Sequence, residues 1–178
     1  LFAFAGMTSN ISVFLIEKFG VMPLQFSVVF FIAGLVNIFV QGFLIRLLVP
    51  RYGEKRLALA GLVILGIGWL AIVAVPSMWM VYIFAGIAGT GSALALPTLN
   101  ALASTRVSQN QQGKLAGVNA SLGSLANVIG PLLAGAAYDL IMPSAPYWTA
   151  AVFLVFAWLM VHAVRENTYV TETQPITG

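Results

Sequence analysis

The sequence predicts an all-α membrane protein of six transmembrane helices, and three observations carry that prediction. The 178 residues are 60% hydrophobic and only 7% charged, whereas roughly a quarter of a soluble domain is charged. Six apolar segments follow one another with short polar connectors between them. The cations gather at every second connector instead of spreading over one surface. Eight Lys and Arg residues divided in this way cannot form a nucleic-acid-binding face, despite the net charge of +3. Cysteine is absent, which removes any disulfide frame or thiolate metal site. Neither a metal-ligand cluster nor a nucleophile–base pair is visible, so the sequence does not read as an enzyme.

The segments, in order, are Leu1–Ile16, Phe26–Val49, Leu57–Val75, Met78–Leu102, Leu115–Tyr138 and Tyr147–Val164. A bilayer core needs about 20 helical residues. The middle four reach or approach that; the last is a little short. The first begins at Leu1, already inside an apolar run and without a signal-peptide layout, so the chain is expected to be a piece of a longer one.

The first segment holds Thr8, Ser9, Asn10 and Ser12, and the second holds Asn37 and Gln41 one turn apart. No such groups interrupt the third. In the fourth, Tyr82, Gly86, Gly89, Ala93, Pro97 and Asn100 share a face at helical spacing. The fifth sets Val118, Leu122, Leu125, Ile129 and Leu132 against Asn119, Gly123, Ala126, Asn127, Gly130 and Ala134. Its first stripe suits lipid. Beyond the sixth, the tail from Arg165 is polar and is expected to be disordered.

Short connectors force neighbouring helices to run antiparallel. One end of the bundle then collects Arg46, Arg51, Lys55, Arg56, Arg106, Lys114 and Arg165, and the other only Lys18. The positive-inside bias places the first end, with the C-terminus, in the cytoplasm.

Asn10, Asn37, Gln41, Asn119 and Asn127 are the candidate cavity residues. An amide at membrane depth either bonds another helix or faces water and substrate. A wall of such groups without fixed charge suits an amphipathic or weakly charged organic solute. Pro97 and Pro131 lie within helical segments and free the carbonyls four residues earlier, which points to a bent, path-lining helix pair. Gly86, Gly89, Gly130 and Gly135 permit close helix approach. Gly53 suits a positive-φ turn between the second and third helices, Glu54 suits the next helix's N-terminus, and Arg51, Lys55 and Arg56 reach either lipid headgroups or a latch between helices. No acid or base lies deep in any segment.

These residues resemble the C-terminal half, helices seven to twelve, of a major facilitator superfamily transporter, nearest to drug:proton antiporters of the tetracycline-efflux type. Arg51-Tyr52-Gly53-Glu54-Lys55-Arg56 is similar to the family's cytoplasmic loop motif, although Pro50 stands where the motif has an acidic residue. Gly86 through Pro97 resembles the repeat of the helix-four motif, with Tyr82 in place of its Arg. Gly130-Pro131-x-x-Ala134-Gly135 resembles the antiporter motif of helix five. Pro97-x-Leu99-x-Ala101-Leu102-x-Ser104 and Gln112-Gly113-x-Leu115-x-Gly117 are also typical.

The resemblance implies a proton-coupled exporter of small organic molecules or drugs, tetracycline-like compounds among them, working by alternating access in the inner membrane. It implies no cofactor beyond the proton gradient, and as partners the lipid bilayer, an N-terminal six-helix half and a small organic substrate. Helices seven, eight, ten and eleven would face the cavity, with nine and twelve peripheral. The competing readings are an uptake symporter or uniporter of the same superfamily and a six-helix scaffold that transports nothing.

Overall fold

A computed structural model describes residues 2–164; the tail expected from Arg165 onward lies outside them. Among the described residues all regular structure is helical. The elements are α1 (Phe2–Phe19), α2 (Pro23–Phe39), a π turn (Val40–Leu44), α3 (Ile45–Tyr52), α4 (Glu54–Ala74), α5 (Met78–Ser104), a 3₁₀ turn (Gln109–Gln111), α6 (Gln112–Leu140) and α7 (Ala145–Ala163). Since α2, the π turn and α3 run on as one helix, Pro23–Tyr52, the elements form six rods. Five of these are long and apolar enough to cross a membrane. The exception is α1, because Thr8, Ser9, Asn10, Ser12, Glu17 and Lys18 dilute its 18 residues. At about 27 Å by helical rise, it still matches a bilayer core of roughly 30 Å.

Local chemistry sets the rod ends. Gly20, at φ +60°, closes α1 with its N–H on Ile16 O at 2.8 Å. Pro23 opens α2, where the Gln25 side chain accepts the Met22 N–H at 2.9 Å. Gly53 adopts φ +79°, the turn expected of it, and separates α3 from α4. Gln112 Nε2 donates to Ser104 O at 2.8 Å, tying the start of α6 to the end of α5. Both α5 and α6 continue through Pro97 and Pro131. Among the described residues the one π turn stands instead at Val40–Leu44, where there is no proline.

In lipid the hydrophobic effect does not pull helices together, so close backbone packing must. The tightest seam joins α4 to α5. A Cβ on Gly61 would stand 2.6 Å from Ala95 N, and one on Gly68 would stand 2.6 Å from Ala88 N. Gly91 meets Leu65 and the Gly61 carbonyl from the other side. Gly89 lets α5 approach Ala33 of α2, and Gly130 lets α6 approach Ala5 and Gly6 of α1. By contrast, Gly86 has ordinary contacts with Ile32 and Val36 at 3.7 and 3.9 Å, and Gly135 opens onto free space. The close approach expected at Gly135 is absent because α6 packs through its Ala126–Gly130–Ala134 stripe.

The rods pack in the order α2, α5, α4, α7, α1, α6. Exchanging the first three rods with the last three leaves this pattern of neighbours unchanged. Because an odd number of rods separates the two triads, they run in opposite senses, giving an inverted repeat. The opposite end from the basic connectors is fastened by Lys18, which donates to Val73 O at the C-terminus of α4 and lies over the Phe14 and Phe19 rings. Tyr138 of α6 donates to Glu17 of α1 at the same end.

The third rod, expected to be peripheral to the cavity, packs between two others within this half. Of the most apolar stretch of α4, 44% is buried, against 11% for Pro23–Tyr52, since its glycines admit it between α5 and α7. In α7, by contrast, Val152, Phe153, Val155 and Phe156 are all exposed, an apolar face fit for lipid.

Gly91→Ala is expected to destabilise the bundle by about 1–3 kcal/mol through overpacking, whereas Gly135→Ala leaves it unchanged. Unfolding of the two variants in detergent micelles checks the contrast.

Candidate functional site

A cavity of about 240 Å³ opens between α1 and α2, with α5 at its back and α4 at its floor. The walls are almost wholly apolar: Phe4 and Ile11 from α1, Val29 and Phe30 from α2, and Ile72 beside Trp69 from α4. Polar groups on the wall are few, namely Thr8, Asn37, Ser92 and the Trp69 indole. The hydroxyls of the first and third turn back on their own helices. Thr8 Oγ1 donates to Phe4 O at 2.8 Å, and Ser92 Oγ donates to Gly89 O at 2.9 Å. Asn37 Oδ1 accepts from Gln41 Nε2, across the junction where α2 passes into the π turn. The site therefore offers shape, apolar contact and a few oriented dipoles, with no ionised side chain on its wall.

Helix spacing explains this composition. Ala85, Ala88, Gly89 and Ser92 form the small-residue face of α5. They keep the back wall shallow. The glycine seam with α4 then brings Trp69 and Ile72 up to the cavity.

Of the five amides expected to line a cavity, Asn37 stands on this wall with Gln41 bonded to it. Asn10 folds back, with Nδ2 donating to Gly6 O at 3.2 Å and to Ser9 Oγ at 3.3 Å. Half-buried Asn119 and exposed Asn127 lie on α6, beyond α1 from the cavity, and make no side-chain hydrogen bond among the described residues. Trp69 and Ser92 escaped the sequence reading. The indole N–H is the one side-chain hydrogen-bond donor in Leu57–Val75, and that singularity was the available signal.

The basic connector is open. Arg51 lies over the Tyr52 ring at 5.6 Å. Among the described residues, Arg51, Lys55 and Arg56 make no ion pair, and Glu54 sits in the first turn of α4. Thr98, next to Pro97, donates its hydroxyl to Leu94 O at 2.6 Å. No group of three or more potential metal ligands occurs among the described residues.

Comparison with known proteins places this geometry. Residues 1–176 match the sequence profile of the Major Facilitator Superfamily. The chain belongs to that superfamily. It is 29% identical over 126 residues to the class C tetracycline resistance protein of Escherichia coli, covering 71% of this chain and 31% of that protein. It is 38% identical over 110 residues to the class D tetracycline resistance protein of Salmonella ordonez, covering 60% of this chain and 27% of that protein. The crystal structure of the human organic anion transporter MFSD10 superposes on 90% of this chain with a TM-score of 0.81 at 26% identity. That alignment takes in 37% of the human chain. The chain thus spans about a third of the length of these superfamily relatives.

Because the sequence contains no cysteine, accessibility can be read from single introduced thiols. Thr8→Cys and Asn37→Cys are expected to react with a membrane-impermeant maleimide, while Thr98→Cys, 2% exposed in the wild-type chain, stays unlabelled. Absence of labelling at positions 8 and 37 would show that the cavity does not reach water.

Proposed function

We propose that this chain is the C-terminal six-helix half of a proton-coupled exporter of small organic molecules, with its basic end and C-terminus in the cytoplasm. The observation that carries the reading is the cavity between α1 and α2. Its volume of about 240 Å³ falls below the roughly 300–1,000 Å³ of a pocket that encloses a drug-sized ligand. Such a cleft suits one wall of a site completed by a second six-helix half.

Its surface fits an organic solute rather than a bare ion, because apolar and aromatic side chains dominate and no charge faces the cavity. The names of the relatives, tetracycline resistance proteins and an organic anion transporter, support the same substrate class.

The outer face of α6 supports the paired arrangement. Ser121, Ser124 and Asn127 lie exposed along one side, while Leu122, Leu125 and Leu132 lie exposed on another. We assign the polar side to the aqueous path between the halves and the leucine side to lipid. Arg51, Gly53, Glu54, Lys55 and Arg56 sit at the cytoplasmic connector that turns α3 into α4, where a rocking half would pivot.

Proton coupling needs a titratable group within the membrane. The acids of the described bundle, Glu17, Glu54 and Asp139, all sit near rod ends. In this reading the coupling carboxylate belongs to the other half.

Inverted vesicles carrying the full-length transporter test the proposal. An imposed pH gradient, acid inside, is expected to drive accumulation of a tetracycline-type or other organic substrate. Accumulation only with the reverse gradient would assign uptake instead. Asn37→Ala is expected to lower transport about fivefold, the equivalent of one lost hydrogen bond. Asn119→Ala and Asn127→Ala should alter transport with normal membrane expression, and unchanged kinetics in both would remove them from the path.

A further inference from the structure

Trp69 joins two observations that the transport reading does not use. Its ring borders the cavity floor, yet its Nε1 is buried and has no hydrogen-bond partner. The residue is only 7% exposed. Behind it lies Tyr147 of α7, whose ring centroid is 6.1 Å away and whose hydroxyl is likewise buried and unpartnered. Buried polar groups in native proteins are matched by protein, water or ligand, so a donor left without a partner beside a cavity requires an account.

The remaining polar groups on the wall narrow that account. The Thr8 and Ser92 protons are engaged with backbone carbonyls, and the Asn37 oxygen is engaged with Gln41. What remains unengaged is donors: the Asn37 amide nitrogen, and the Trp69 indole N–H, which is buried beside the cavity. No charged side chain stands there to balance an ionised ligand.

We propose that Trp69 anchors the ligand in this cavity, its indole turning toward the entering molecule to donate to an acceptor oxygen. The selected class is an uncharged, largely apolar ring compound carrying a carbonyl or similar oxygen. The proposal rests on the reading of this cleft as a substrate wall and adds the group that chooses among substrates.

A matched pair of probes isolates that one hydrogen bond: 9-fluorenone carries a ring carbonyl that fluorene lacks. Equilibrium binding of each is measured to the full-length transporter in lipid nanodiscs. Wild type is expected to prefer fluorenone by about tenfold. Trp69→Phe, which keeps an aromatic ring and removes the N–H, should erase the preference between the two probes. An equal loss for both probes means that the ring only fills space, and a retained preference means that another donor acts; either result overturns the proposal. So does an equal loss of preference in Tyr147→Phe, which would assign the two orphan groups to a shared buried water.

If Trp69→Phe fails to fold, the wild-type protein labelled with ¹⁵N-tryptophan gives the answer. The Trp69 indole N–H resonance should move on addition of fluorenone and stay in place with fluorene, and an unmoved resonance overturns the assignment. Binding here needs no gradient. A transporter that binds through Trp69 and moves nothing refutes the transport reading alone, and one that exports its substrates without a carbonyl preference refutes this inference alone.

Discussion

The contact between the backbones of α4 and α5 is the constraint on which the rest of the structure depends. In a bilayer, exchanging helix–lipid for helix–helix contact gains little unless the two surfaces fit closely. Gly61, Gly68 and Gly91 remove the side chains that would hold the rods apart, and Ala88 and Ala95 take up the space. The seam then fixes the depth at which α4 meets the cavity and the shallow back wall that α5 presents to it. Moving either rod outward by the width of a methyl group would lift the floor away from α2.

The inverted repeat multiplies this economy of small residues. Under exchange of the two triads, the α2–α5 contact at Ala33 and Gly89 corresponds to the α6–α1 contact at Gly130 and Gly6. One packing device therefore recurs in both triads, and each time it draws a long rod of one triad to the leading rod of the other. Such cross-packing couples the six rods into a body able to move as one, while the polar fasteners Lys18–Val73 and Glu17–Tyr138 close a single end of it. At the basic end, Gln112 ties α6 to Ser104 O of α5.

The sequence made the rods legible because apolar length and charge placement act locally along the chain. Gly53 was legible for the same reason, since only glycine takes its backbone angle readily. The site was legible in part. An amide in an apolar run is conspicuous, and Asn37 does stand on the cavity wall. Periodicity gives the angular separation of residues on one helix, but it does not say which neighbour covers which side. Asn10 bonds to Gly6 of its own helix, and Asn119 and Asn127 lie on α6, which packs against α1 and α7, relations that periodicity alone does not display. The π turn at Val40–Leu44 was invisible for a related reason, since no proline or glycine pair sets it apart from ordinary helix. The enclosure of α4 depended on matching its glycines with those of α5, a relation between two segments that neither displays alone.

The two triads differ where the cavity forms, and the difference explains its position. The partner of the glycine seam under the repeat is the α1–α7 contact, which uses rings: Phe14 and Tyr147 meet at a tilt, their centroids 4.9 Å apart. Side chains of that size fill the groove between α1 and α7. Glycines between α4 and α5 instead bring those two backbones into contact, and the cavity opens beside the seam, between α1 and α2. The same contrast places an aromatic cluster directly behind the cavity floor, from Phe14 through Tyr147 to Trp69. This apolar backing holds two buried, unpartnered polar atoms, Trp69 Nε1 and the Tyr147 hydroxyl, while the cavity walls stay uncharged. The pseudo-symmetry of the half is thus broken by residue size, and breaking it is what turns a packed bundle into a wall with a receptive surface.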